Sequence, residues 1–281
     1  MKPDTNQLIG KAILNALPPR QRDSNKGDFG SVGILGGAPG MTGAVLLAAR
    51  AALHLGAGKV YAASLSKSLV VDSMQPEIML LDPSQLLDTA LTALAIGPGL
   101  GQSEQARRLL EIALKNPAIL VLDADALNLL AASPDLKNLT LARTSPTLLT
   151  PHPGEAARLL GCDTKTIQYD RPAAALQLAE KYCAWVVLKG AGSICAGPDK
   201  TWRINATGNP GLSSAGMGDV LTGMVAALLA QGLEPFAALQ LAVYLHGVAA
   251  DALLLQGIGP VGLTASEVML EARKILNQRA I

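Results

Sequence analysis

Short apolar runs, each ending in a loop of glycine, proline, aspartate or histidine, recur along this chain and constrain its fold more than any other feature. Residues 32–35 stop at Gly36-Gly37, residues 94–96 at Gly97-Pro98-Gly99 and residues 118–122 at Asp123-Ala124-Asp125. Residues 147–150 stop at Pro151-His152-Pro153, and residues 184–188 at Lys189-Gly190. Runs this short are strand-sized, whereas the stretches between them have helical length and composition. Residues 44–55 are rich in Ala and Leu and are closed by Gly56-Ala57-Gly58; residues 104–114 and a stretch from Ala126 read the same way. With another strand over 59–63, a strand, helix, strand unit repeats, which is how parallel sheets are built. Loops at the carboxyl ends of parallel strands form the ligand crevice, so these five loops are expected to converge on one site. The segment from Val220 onward reads as three helices, and residues 1–24 as a helical lead-in.

Hydrophobic residues make up 49% of the 281 and aromatics only 3%, so the core must be built from Ala, Leu, Val and Ile. We expect a single α/β domain over 1–281. Net charge is +1 and the basic residues form no run, so nothing favours nucleic acid or an anionic membrane, and small molecules are the expected partners. Cys162, Cys183 and Cys195 lie far apart, without metal or disulfide spacing. The first residues lack the apolar core of a signal peptide, and no uninterrupted apolar stretch reaches about 18 residues, which suggests a cytoplasmic protein.

The richest stretch for chemistry is Asn205-Ala206-Thr207-Gly208-Asn209-Pro210-Gly211, followed by Gly216-Met217-Gly218-Asp219 and an apolar helix from Val220. Glycines ahead of a helix let an anion approach its free N–H groups. Asp219 at that mouth is either an N-cap or a base beside the bound anion. Asp123 and Asp125 could hold Mg2+ through water or cap the next helix, and the cap is expected for one of them. Lys189 either pairs with phosphate or is solvated at a strand end. His152, stiffened by two prolines, is expected to project into the crevice as a donor, whereas His54 and His246 lie in apolar helices and read as packing residues. No His or Cys stands at metal-ligand spacing. The glycines of residues 36–43 match neither a dinucleotide fingerprint nor a Walker loop.

Taken in order, Lys26-Gly-Asp-Phe-Gly30, Gly36-Gly37 with Thr42-Gly-Ala44, Ile96-Gly-Pro-Gly99, Leu122-Asp-Ala-Asp125, Leu149-Thr-Pro-His-Pro-Gly-Glu155, Leu188-Lys-Gly190, the Asn205 to Gly211 stretch and Gly216-Met-Gly-Asp219 resemble the motifs of ADP- or ATP-dependent NAD(P)H-hydrate dehydratases. The resemblance implies a ribokinase-like fold, with a mostly parallel sheet between helices, and dehydration of hydrated NADH or NADPH at the expense of ADP or ATP, with Mg2+. It also implies roles. Asp219 would be the base; Lys189, Gly190, Ala191, Gly192, Ser193 and Gly218 would hold the nucleotide; Ala44, Gly99, His152 and Asp219 would contact the hydrated cofactor. A small-molecule kinase of the same fold, using the same base and anion site, is the alternative.

Two departures stand out. Asn25 occupies a position where the family often has His. Too few residues precede Lys26 for the epimerase domain of bifunctional members, so epimerisation would fall to another protein or to another part of a longer chain. Finally, the apolar series over 226–230 and 239–245 exceeds what one face of each helix can bury, which leads us to expect a homo-oligomer, a tetramer by the resemblance.

Overall fold

The computed structural model describes residues 7–278. Strand β1 (Ser31–Gly36), helix α1 (Thr42–His54) and strand β2 (Lys59–Ser64) form the first expected unit, and β3 (Met79–Leu80) and α2 (Pro83–Asp88) follow. Then come β4 (Ala93–Ile96), α3 (Glu104–Lys115), β5 (Ile119–Leu122), α4 (Asp125–Ala132), α5 (Pro134–Leu141) and β6 (Thr147–Leu149). The chain continues through α6 (Pro153–Leu160), α7 (Thr164–Tyr169), α8 (Arg171–Tyr182), β7 (Trp185–Leu188), β8 (Ser193–Ala196) and β9 (Trp202–Asn205). Helices α9 (Met217–Ala230), α10 (Pro235–Leu255) and α11 (Ala265–Gln278) complete it. The lead-in shrinks to a 3-10 helix over Lys11–Ala16, and its first six residues lie outside the described residues.

The nine strands make one sheet in the order β3-β2-β1-β4-β5-β6-β7-β8-β9. Every pair up to β7 is parallel, and only β7 to β8 and β8 to β9 are antiparallel. The mostly parallel α/β architecture is therefore present. The strand β8, beginning at Ser193, is not legible in the sequence because Gly190 and Gly192 immediately before it read as loop.

Alternation along the strands feeds two cores. Val32, Ile34, Ala93, Ala95, Val121 and Val187 face a core shared with α1, α9, α10 and α11. Leu35, Leu94, Ile96, Leu120, Leu122 and Leu188 face the opposite core with α2 to α8. Both faces of the strands are thus covered, which is why they read as continuous apolar runs. The order of strands reverses direction between β1 and β4, and the loops after those strands frame the crevice there.

Helix α9 is buried nearly all round, with twelve of its fourteen residues buried. Helix α10 is long and apolar enough to cross a membrane by length and composition, yet 67% of its most apolar window is buried inside the fold, as in a core helix. Residues 226–230 and most of 239–245 are accordingly buried within the single chain. The surplus apolar surface from which an oligomer was expected does not exist over these two stretches, because α9 is roofed by α1, α10 and α11.

Close approach of α1 and α9 depends on Gly223, where an added Cβ would lie 2.0 Å from the Ala48 carbonyl oxygen. Gly43, in the first turn of α1, has nothing within 4 Å of such a Cβ. Gly223→Val should therefore destabilise the fold by about 3 kcal/mol or more, while Gly43→Ala changes it by less than about 1 kcal/mol in either direction. Urea denaturation of the two variants checks this, and equal midpoints would contradict the packing described.

Candidate active site

At the carboxyl ends of β5, β6 and β7 the chain buries a charged pair. Asp123 is 1% exposed, and its Oδ1 accepts from the Lys189 ammonium at 2.7 Å and from the Thr150 hydroxyl at 2.8 Å. Its Oδ2 accepts from the Thr222 hydroxyl of α9, also at 2.8 Å. A buried carboxylate is tolerated only with such complete pairing. Burial alone would lower the Lys189 pKa, but the carboxylates of Asp123, Glu155 and Asp219 more than offset it and the net shift is upward. Lys189 is thus neither solvated nor a free point charge: its side chain is 19% exposed and already paired.

The same geometry corrects the reading of the aspartates after β5. The N-cap of α4 is Ala124, at φ 49° and ψ −114°, and no side chain caps the helix. That unusual backbone turns Asp123 down into the fold, while Asp125 Oδ2 accepts the Gly101 N–H at 2.8 Å. Gly97, at φ +131°, permits this turn, since a Cβ there would lie 1.8 Å from the Asp123 carbonyl oxygen.

Asp219 is the third residue of α9, and the N-cap position falls to Gly216. Among the described residues no group hydrogen-bonds its carboxylate, so the capping role is not used. Burial, reinforced by the charge of Asp123 and only partly opposed by Lys189, pushes its pKa up to about 7. Within α9 the first helical bond runs from the Val220 N–H to the Gly216 carbonyl at 3.0 Å, which leaves the N–H groups of Met217, Gly218 and Asp219 without helical partners. The start of α9 is wedged between two elements: a Cβ on Gly216 would meet Leu47 of α1 at 2.5 Å, and one on Gly218 would meet Lys189 Nζ at 3.3 Å.

Beside Lys189 opens a cavity of about 520 Å³, lined by Lys189, Gly190, Ala191, Gly192, Ser193 and Gly218. The residues singled out for the nucleotide are therefore together on one cavity. Its other wall is the loop after β9, and the motif there is a set of anchors. Asn205 Nδ2 donates to the Val243 carbonyl of α10 at 2.9 Å, and its Oδ1 accepts from the Thr207 hydroxyl. Asp251 of α10 accepts the Gly208 N–H and the Asn209 amide. The loop is thereby held to α10 at both ends.

Ala44 and Gly99 lie side by side away from this cavity: a Cβ on Gly99 would sit 3.1 Å from Ala44 Cβ. They flank the crevice at the reversal of strand order, where the Gly37 and Ala38 N–H groups donate to the carbonyls of Pro98 and Gly99. His152 is the N-cap of α6 and is held by a capping box rather than by its prolines alone. Its Nδ1 accepts the Gly154 N–H at 3.0 Å, its Nε2 is 3.2 Å from Glu155 Oε1, and Glu155 Oε2 accepts the His152 N–H at 2.7 Å. Burial and the positive charge of Lys189 lower the pKa of the ring, which stays neutral at pH 7 and half-exposed.

Comparison with known proteins decides what this arrangement belongs to. The profile of the NAD(P)H-hydrate dehydratase family matches residues 32–270. The chain belongs to that family. It is 42% identical, over 97% of its length and 94% of the relative's, to the ADP-dependent (S)-NAD(P)H-hydrate dehydratase of Neisseria meningitidis. It is 41% identical to the bifunctional NAD(P)H-hydrate repair enzyme of Coxiella burnetii, covering 98% of this chain but 56% of that protein, so it spans about half the length of such relatives. The ADP/ATP-dependent NAD(P)H-hydrate dehydratase of Bacillus subtilis, crystallised with ATP and Mg2+, superposes with a TM-score of 0.82 at 31% identity over 95% of both chains.

Two residues of this site escape sequence reasoning. Thr150 and Thr222 are buried hydroxyls whose common partner, Asp123, is 27 and 99 residues away in the chain. His54 does pack between helices, with Nδ1 2.9 Å from Arg273 of α11. His246 is different: it is buried and lines the cavity, its Nε2 has no hydrogen-bond partner among the described residues, and burial pulls its pKa down to about 4.

The raised pKa of Asp219 carries a stability cost. Between pH 4 and 7 the folded chain keeps a proton that the unfolded chain loses, so stability falls as pH rises through that window. Asp219→Asn removes the cost and should be about 1–3 kcal/mol more stable than the parent at pH 8, with the difference vanishing near pH 4. Urea titrations at both pH values test this; identical stability at pH 8 would mean that the carboxylate is not desolvated.

Proposed function

We propose that this chain restores NADH or NADPH from the S epimer of the hydrated cofactor, using ADP, or alternatively ATP, as phosphoryl donor. The observation that carries the reading is Asp219: an unpaired carboxylate with a pKa near 7, at the mouth of α9 and beside the cavity of Lys189 to Ser193. A base works best with a pKa near the working pH, and this one is free to accept a proton.

Hydroxide is a poor leaving group, and phosphorylation converts it into a good one. Asp219 takes the proton of the ring hydroxyl as that oxygen attacks the terminal phosphoryl group of the nucleotide. The free N–H groups of the first turn of α9 and the positive end of the helix stabilise the developing charge. With ADP the products are AMP and a phosphorylated ring. Phosphate then leaves, assisted by the lone pair of the ring nitrogen, and loss of a ring proton restores the dihydronicotinamide. In this reading Lys189, Gly190, Ala191, Gly192, Ser193 and Gly218 hold the nucleotide, while Ala44, Gly99 and His152 contact the hydrated ring at the crevice. The name of the Neisseria relative supports ADP, and that of the Bacillus protein allows either nucleotide.

The described residues include no group of three or more His, Cys, Asp or Glu side chains that could hold an ion, and Asp123 has both oxygens committed. A Mg2+ ion therefore comes with the phosphates of the nucleotide, with no residue of the chain assigned to it. A reaction on ADP and reduced nicotinamide nucleotides fits the cytoplasm. For assembly we retain a homotetramer, supported now by the exposed Val70, Val71 and Met74 between β2 and β3, at 82%, 61% and 71% exposure. Light scattering at micromolar concentration should give four times the 28.9 kDa chain mass, and a monomer mass would refute it.

Incubation of hydrated NADH with ADP should restore the dihydronicotinamide absorbance. Asp219→Asn should lower kcat by about 10²–10⁴ with nucleotide affinity retained, and parent kcat should fall as pH drops below about 7, because protonation removes the base. Full activity in the Asn variant would exclude Asp219 as the base.

A further inference from the structure

The loop after β7 is shaped from behind by a cation. Arg171, the first residue of α8, donates from Nη2 to the carbonyls of Leu188 and Lys189, each at 3.2 Å, and from Nη1 to the carbonyl of Ala191. A trans peptide holds its N–H opposite its C=O, and among the described residues only Gly259-Pro260 is cis. Turning the Lys189 carbonyl onto Arg171 therefore turns the Gly190 N–H away from it. The Ala191 carbonyl does the same for the Gly192 N–H. Lys189 spends its own N–H on the Pro151 carbonyl at 2.8 Å, but neither glycine N–H has a hydrogen-bond partner among the described residues.

Position agrees with orientation. Gly190 and Gly192 line the cavity at Lys189, whereas Arg171 lines a separate hollow that shares only Gly192 with it, so the loop stands between the two. Gly190 at φ +147° and Gly192 at φ +70° adopt backbone that side chains rarely allow, and a Cβ on Gly190 would lie 2.8 Å from Arg171 Nη2. Two unpaired N–H groups facing one cavity, with the carbonyls drawn to the other side, make an anion-binding nest.

We propose that Arg171 is a positioning residue of the nucleotide site: by gripping the carbonyls of Leu188, Lys189 and Ala191, it keeps the Gly190 and Gly192 N–H groups turned into the cavity to receive a phosphate of a nucleoside diphosphate. The proposal rests on the reading of that cavity as the nucleotide site. Arginine suits the task because its planar fork spans several carbonyls, while a lysine ammonium is a single point. Its Nε is buried without a partner, so the guanidinium is placed by the loop carbonyls and not by its own best pairing. Without that grip the two peptides are free to flip and would present carbonyl oxygens to the phosphate.

Calorimetric titration of ADP and of adenosine into the parent, Arg171→Gln and Arg171→Lys tests the idea. In Arg171→Gln the affinity for ADP should fall about tenfold or more, while that for adenosine stays within about twofold. In turnover the KM for ADP should rise by the same factor, with kcat and the KM for hydrate held. Arg171→Lys should show a smaller loss with the same contrast, and it carries the test if the Gln variant does not fold. Unchanged ADP affinity, or equal losses for ADP and adenosine, would overturn the proposal. A parent that binds no ADP would instead defeat the nucleotide reading itself.

Discussion

The buried ion pair of Asp123 and Lys189 is the interaction on which the rest of the site depends. It joins the carboxyl ends of β5 and β7 and, through Thr150 and Thr222, also those of β6 and the first turns of α9. Losing one partner of such a pair strands a charge in the interior, at a cost of about 3–5 kcal/mol. The pair also sets protonation around it. Asp123 adds to the burial that raises the Asp219 pKa, and Lys189 adds to the burial that keeps His152 and His246 neutral. Burial is the main cause at all three groups, and at Asp219 Lys189 partly opposes it.

Against that pairing the isolation of Asp219 has meaning. Every other carboxylate near it is satisfied: Asp123 by three donors, Asp125 by a backbone N–H and Glu155 by the capping box of α6. Asp219 alone is held partly buried with no described partner, a loss of stability that the proposed role as base would explain. The helix behind it is packed between the sheet and three helices. A group borne on such an element keeps its place while a ligand enters.

The two regions proposed for ligands follow from the topology. Ala44 and Gly99 sit where strand order reverses, between β1 and β4, and the cavity at Lys189, proposed for the nucleotide, lies several strands away, beyond β7. The start of α9 touches α1 on one side and Lys189 on the other, so Asp219 stands at the boundary between them. The proposed transfer from one ligand to the other needs its base at that boundary.

Much of this was legible in the sequence, because local signals carry it. Apolar runs ending at glycine and proline mark β1, β4, β5, β6 and β7, and helical composition marks α1, α3 and the three C-terminal helices. The motifs likewise place Asp219, Lys189 and the Gly190 to Ser193 loop. The remainder depends on contacts between residues far apart in the chain. Whether Asp123 caps a helix or pairs with Lys189 is decided by the backbone turn at Ala124 and by Thr222, 99 residues further on. That His246 faces a cavity, and that residues 226–230 are covered by the chain itself, is decided by how α10 and α11 close over α9. That Arg171 stands behind a glycine loop is decided by the packing of α8 beside β7 and β8. Spacing along the chain encodes periodicity and turn chemistry, while charge pairing, desolvation and peptide orientation exist only once the sheet has brought its strand ends together.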